Sequence, residues 1–159
     1  KARNSRSGTH SMCEMAGGKN IAEDLDPLGQ GTTSQVDPEW IVAEDPDVIV
    51  KVVSGGDVSC GYDEDEPAEM SSMRDAIMNR PGFDNITAVK EDRVYLIASD
   101  ICDRSCNSIG IAYMAKWFYP DLFKDLDPKA IHQEYLTRFQ RLDYNLDKHG
   151  VFVYPPLEG

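Results

Sequence analysis

Two short runs constrain this chain more than anything else in it. "DVIVKVV" (residues 47–53) and "RVYLIA" (residues 93–98) carry apolar side chains at consecutive positions, and polar, turn-forming residues bound both. Successive side chains of a strand point to opposite faces, so a strand with one wet face must alternate apolar with polar. A run that does not alternate needs cover on both faces, as the strands of a parallel sheet do. Helical patterns sit around and between these runs. Strands alternating with helices give the expected fold class, α/β: a three-layer, Rossmann-like, mostly parallel sheet with helices on both faces.

The punctuation supports that reading. A short helix ends near Ala16 against Gly17-Gly18, and residues 20–35 are loop-like, with Pro27, Gly29 and Gly31. Asp37 then suits a helix cap and Pro38 a first helical position, with Trp40, Ile41 and Ala43 as the apolar side and Pro46 as the stop. A long polar connection leads to a helix over residues 67–78, whose stripe is Met70, Met73, Ile77 and Ala76. Its acidic run, residues 63–66, lacks the spacing of a calcium loop and reads as a solvated run. Pro81-Gly82 marks a turn before a short helical piece, and residues 90–92 form a tight turn before the second strand. "SIGIAYMAKWFY" (residues 108–119) is a strongly apolar helix closed by Pro120. Asp127-Pro128 starts another, striped by Ile131, Tyr135, Leu136 and Phe139. "VFVYPP" can add a short edge strand.

One domain of 159 residues is expected, with residues 1–7 as a disordered edge. "KARNSRSGTHSM" is a poor opening for a folded domain and reads as the edge of something longer. With 28 Asp plus Glu against 16 Lys plus Arg, a formal net charge of −12 argues against nucleic acid and against docking on anionic lipid by charge. No run of 18 apolar residues occurs, and no signal peptide or lipidation signal is visible. Four cysteines are too few for a disulfide scaffold. Cys102 and Cys106 in "CDRSC" lack zinc-ribbon spacing and a nearby histidine.

Chemistry-bearing motifs are missing: no phosphate loop, dinucleotide fingerprint, nucleophile elbow or HExxH. His10, His132 and His149 are scattered, and His132 is expected at a surface or half-buried position. In open α/β sheets ligands sit beyond the carboxyl ends of the strands. Here those ends are residues 54–57 and 99–104, both polar and longer than a structural turn needs. Ordinary exposed loops would look the same, so the pattern alone leaves a binding site and plain loops open.

Four segments then resemble one family, in order. "EMAGGKNIAEDL" (residues 14–25) is similar to the Ala-Gly-Gly-x-Asn-Ile signature of the C-terminal lobe of ABC-importer substrate-binding proteins, in the branch handling iron-siderophores, haem and cobalamin (class III periplasmic binding proteins). "VDPEWIVAEDPDVIV", "RPGFDNITAVKEDRVYLI" and "IGIAYMAKWFYPDLFKDLDPKAIHQEYLTRF" resemble its later segments, so the likeness spans residues 8–156. It implies one α/β lobe of a two-lobe protein, with the N-terminal lobe and linking helix absent. A strand expected ahead of Gly8 has no clear counterpart, so the sheet is expected to be short by one.

The resemblance also implies functions for named residues. Cargo contacts map to Thr32, Thr33, Ser34 and Gln35, and to the loop after "RVYLI" with Ser99, Asp100 and Arg104. Glu39 maps to the carboxylate that pairs with arginines of the membrane permease. Helix-start electrostatics worth about 0.3–1 kcal/mol would also account for a glutamate there. Trp40 and Phe83 are expected in the core. The implied protein is an extracytoplasmic, non-enzymatic importer component. It would have no resident cofactor or metal, a ferric siderophore, haem or cobalamin as cargo, an ABC permease as partner, and contact with membrane only through the transporter or an anchor outside this sequence. Two other readings stay open: a metal- or thiol-dependent enzyme using Cys102 and Cys106 with Asp100 and Asp103, or an interaction module that kept the fold and lost the cargo.

Overall fold

The structure is a computed structural model, and it describes residues 1–25, 31–103 and 105–157. Its main sheet has the order β3-β4-β5. β3 (Ile49–Val53) and β4 (Val94–Ala98) are the two non-alternating runs. They pair in parallel over five positions, Ile49 with Val94 through Val53 with Ala98. β5 (Val153–Tyr154) adds two antiparallel positions beside β4, so the sheet is mostly parallel.

Both faces of β4 are covered, as its pattern requires. On one face Leu96 packs with Val53 and with Met70 of α3 (Ala68–Met78). Val94 meets Ile77 of α3, the buried Phe83 and Ile86 of the turn leading to α4 (Thr87–Lys90), and Ala88 of α4 itself. On the other face Ile97 joins Met12 of α1 (Gly8–Met15), Ile109, Tyr113 and Trp117 of α5 (Asn107–Phe118), and Leu136. Tyr95 stacks on Trp117 with ring centroids 4.6 Å apart and planes 5° from parallel. Phe83 is core; Trp40 is only half-buried.

Capping chemistry fixes the ends. Ser7 accepts from the His10 amide at the start of α1, and Asp127 accepts from the Ala130 amide at the start of α6 (Pro128–Glu134). Asp45 ends α2 (Pro38–Glu44) with φ 43°. Its carboxylate reaches across to α4, accepting from the Thr87 amide at 2.7 Å and the Thr87 hydroxyl at 3.0 Å. One residue thus stops one helix and caps another.

Two expectations need correction. Residues 1–7 are not a disordered edge. Ala2–Arg3 forms β1, antiparallel to β2 (Thr33–Ser34), and Asn4 is buried, donating to the Gly31 carbonyl and the Ser34 hydroxyl. The tether is polar, through Asn4 and backbone pairing, so hydrophobic patterning could not reveal it. His132 is not at the surface either: it is 1% exposed.

β3 is an edge strand of the main sheet. The Ile49 amide bonds to the Arg93 carbonyl on the β4 side, so by strand geometry the peptide groups of Val50 and Val52 face outward. They face a groove of about 1210 Å³, lined on its far side by α1, β1 and the turn after α1.

Candidate ligand site at the carboxyl ends of the strands

The connection after β3 and the turn after β4 come together at Gly61. Gly61 has φ +94°, and a Cβ placed on it would lie 3.2 Å from an Asp100 carboxylate oxygen. The left-handed backbone favours glycine here, and a side chain would in addition crowd the Asp100 carboxylate. Its amide and carbonyl bridge to Val151 (2.7 and 3.0 Å), which anchors the connection to the chain leading into β5.

Next to this junction lies a cavity of about 470 Å³. Its walls include Tyr62, Tyr135 and Tyr144, with Asp63, Asp100 and Cys106. Tyr62 is fixed from below. Its hydroxyl lies 2.8 Å from His132 Nε2, and its ring meets Phe152 edge-on at 4.6 Å. Burial lowers the His132 pKa to about 4, so near neutral pH the ring is uncharged. Nε2 then accepts the Tyr62 hydroxyl proton when the other ring nitrogen carries the hydrogen. Burial pushes the Tyr62 phenol up to about 12, so it stays protonated. Tyr144 donates to the Tyr62 carbonyl at 2.7 Å. Tyr135 and Gln140 belong to a stretch of π-helix, Tyr135–Gln140, continuing from α6, and Gln140 donates to the Tyr135 hydroxyl at 2.7 Å. Such wider turns recur at functional sites.

The residues expected to contact cargo are divided. Asp100 is exposed and lines the cavity; Ser99 is half-buried in the same 3-10 turn, Ser99–Ile101. Arg104 lies outside the described residues. Thr33 lines the groove beside β3 instead. Ser34 is buried and occupied, donating to the Leu25 carbonyl at 3.4 Å and accepting from Asn4 at 3.3 Å. Thr32 and Gln35 are exposed, and the Thr32 carbonyl accepts from the Asn4 amide. The two segments therefore line different hollows. Arg3 of β1 lines the groove beside β3 together with Thr33. Glu39 is exposed in the first turn of α2.

Sequence reasoning missed Arg3, the three tyrosines and Asp63. Arg3 sat in a stretch set aside as an edge. Tyr62 and Asp63 sit in the connection after β3, where strand-end logic alone could have flagged them. The acidic run is exposed at Asp63, Asp65 and Glu66, as expected of a solvated run, and Asp65 also accepts from the Gly150 amide and lies 3.0 Å from His149 Nδ1.

The thiols do not have the character of nucleophiles. All four cysteines are free, and burial is the first cause raising each pKa, in Cys102 to about 12. Among the described residues, His10, Glu14 and Glu23 gather their ligand atoms within 4.8 Å. The hydrogen bonds there do not suit a metal. Asn20 accepts from the Ala22 amide and donates to the Arg3 carbonyl, so its amino group faces His10 Nδ1 at 3.2 Å. Nδ1 is thereby an acceptor, and Nε2 carries the proton toward Glu14 at 3.2 Å. A metal on Nε2 would need the opposite tautomer, set against a donor.

A mostly parallel α/β lobe with a largely apolar hollow, edged by a few polar groups, beyond its strand ends has the form of a ligand-binding lobe. Comparison with known proteins narrows it. The profile of the periplasmic binding protein family matches residues 2–101, and the chain belongs to that family. The chain is similar to the TroA-like periplasmic binding protein FepB of Veillonella parvula at 24% identity and a TM-score of 0.76, over 92% of this chain and 41% of that one. It is similar to a periplasmic solute binding protein of Veillonella parvula DSM 2008 at 21% identity and TM-score 0.62, over 92% and 43%. It is also similar to Helicobacter pylori CeuE, solved as a Ni-His complex, at 23% identity and TM-score 0.59, over 85% and 39%. At these identities the likeness shows the fold. The chain spans about two-fifths of the length of these structures. A search of curated proteins finds no match. Family and neighbours are binding proteins, not enzymes.

Proposed function

We propose that this chain is one lobe of the extracytoplasmic substrate-binding component of an ABC importer. It captures an iron-siderophore or related metal chelate (haem or cobalamin in the same class) and delivers it to a membrane permease. The observation that carries this reading is the position of the 470 Å³ cavity, between the connection after β3 and the turn after β4 in a chain whose residues 2–101 match the family. Membership of that family supports an extracytoplasmic location. No described helix is long and apolar enough to cross a membrane, so on this reading contact with the bilayer comes through the permease or an anchor outside the sequence.

Glu39 is the proposed handle for the permease. It is exposed, and a glutamate presents two oxygens to an arginine fork. The test is a panel of ferric siderophores, haem and cobalamin titrated by fluorescence quenching against the full-length two-lobe protein that this reading implies. Transport is then measured in cells carrying Glu39→Arg. The reading expects saturable binding of one chelate class, with transport lowered and cargo affinity unchanged by Glu39→Arg. Failure of every chelate to bind would turn the reading toward an interaction module on the same fold.

A further inference from the structure

The cavity beside Asp100 has a chemical character of its own. Three tyrosine rings contribute to its walls, and Asp63 and Asp100, both exposed, line it as well. Among the described lining residues none is basic. The π-helix brings Tyr135 and Gln140 to one side of it, and just beyond lies Leu142, 53% exposed. Phenol faces are electron-rich and attract cations, most strongly where water is partly excluded. Carboxylates nearby add the same preference at longer range. An anion placed there would meet two like charges.

The preference extends along the loops that meet there. Residues 54–66 and 99–107 carry Asp57, Asp63, Glu64, Asp65, Glu66, Asp100 and Asp103. The one basic residue in these two loops is Arg104, which lies outside the described residues. Asp65 is engaged by His149 and Gly150, and Asp57 by Ser54; the Asp100 carbonyl accepts from the Cys106 thiol at 2.9 Å, and among the described residues the carboxylates of Asp63 and Asp100 have no hydrogen-bond or ion-pair partner. Among the described residues, the two carboxylates on the cavity wall are thus the ones open to a ligand.

We infer that this cavity is a subsite for an organic cation, so that the cargo is a positively charged chelate, one bearing a protonated amine or quaternary ammonium group, and not an anionic one. The charged group sits among Tyr62, Tyr135 and Tyr144, facing Asp63 and Asp100. This deepens the proposed function and rests on it for the word cargo; the subsite itself rests on the cavity alone.

Two arms test it. In the first, choline and size-matched benzoate are titrated against the protein, followed by saturation-transfer NMR. Choline is expected to bind, at least about tenfold tighter than benzoate. Asp63→Asn/Asp100→Asn should erase that preference, and Tyr135→Leu, which keeps bulk and removes a ring face, should weaken choline alone. In the second arm, run on the full-length two-lobe protein, a ferric trihydroxamate with a free ammonium tail is compared with an anionic ferric tris-catecholate. The cationic chelate should bind at least about tenfold tighter. No choline binding, or a preference that survives in the double Asn variant, overturns the inference. Tighter binding of the anionic chelate overturns it too and leaves the importer reading standing. Choline binding with neither chelate bound would sink the importer reading and keep the subsite.

Discussion

Lowering the pH should loosen this lobe through one buried ring. His132 is 1% exposed, packed edge-on against Phe152 at 4.7 Å, and held 2.8 Å from the Tyr62 hydroxyl. Its pKa falls from 6.5 to about 4 because burial disfavours the imidazolium. The sign follows from where the proton prefers to be. Between those two values the unfolded chain binds it and the folded chain does not, so stability present above pH 6.5 is lost as the pH falls toward 4. For such a pair of pKa values, linkage gives a loss of about 2 kcal/mol between pH 7 and pH 5. The open cavity bordered by Tyr62 lets water relax nearby, and screening brings the expected loss to about 1–2 kcal/mol. The assay is urea denaturation at both pH values for the wild type and for His132→Gln. Other titrating groups are common to both proteins, so they cancel in the comparison. The variant should be less stable at pH 7 and should lose about 1–2 kcal/mol less on acidification. An NMR titration of the folded wild type should show the ring neutral at pH 5. Equal acid sensitivity in both proteins, or protonation of the ring near pH 6.5, would refute the reasoning.

Three further outcomes follow from packing and pairing. Gly110→Ala should destabilise: a Cβ in α5 would lie 2.8 Å from the Ile101 carbonyl oxygen and would meet the Met12 side chain as well. Overpacking costs about 1–3 kcal/mol against a helix-propensity gain of up to about 1, so thermal melts should register a net loss. Asp45→Ala removes the acceptor of the Thr87 amide and hydroxyl, and should lower the melting temperature at pH 7. The bonds from Thr87 hold the Asp45 pKa below 3.8, so its contribution exists above that value and is lost below it; the gap between wild type and variant should close on acidification. Lys51→Val should promote self-association in light scattering, since Lys51 is the exposed central residue of edge strand β3 and a charge there deters pairing with another strand.

Elements whose residues must repeat a burial pattern were legible in the sequence. β3 and β4 appeared where apolar residues run without alternation, and α3 and α5 where they recur at helical spacing. Proline and glycine marked most boundaries, because their backbone limits do not depend on the rest of the fold. Features made by contacts distant in sequence were not legible. β1 depends on Asn4 reaching Gly31 and Ser34, and the depth of His132 depends on Tyr62, seventy positions away in the chain. The same division explains the site. Asp100 followed from strand-end logic, but its companions Tyr135 and Tyr144 reach the cavity on segments far along the chain.

The titratable groups set into this interior share one property. Burial raises the thiol of Cys102 and the phenols of Tyr62 and Tyr113 to about 12, and lowers His132 to about 4. All four are uncharged near neutral pH. Fixed charge therefore sits at the surface, where the chain's excess of carboxylates is not offset from within. At the strand ends, that places Asp63 and Asp100 beside neutral phenols with no buried cation among the described residues behind them. A negative group there would meet no positive charge among the described lining residues. On the proposed subsite, a positive group would need none, which is the charge preference that the choline and benzoate titration tests.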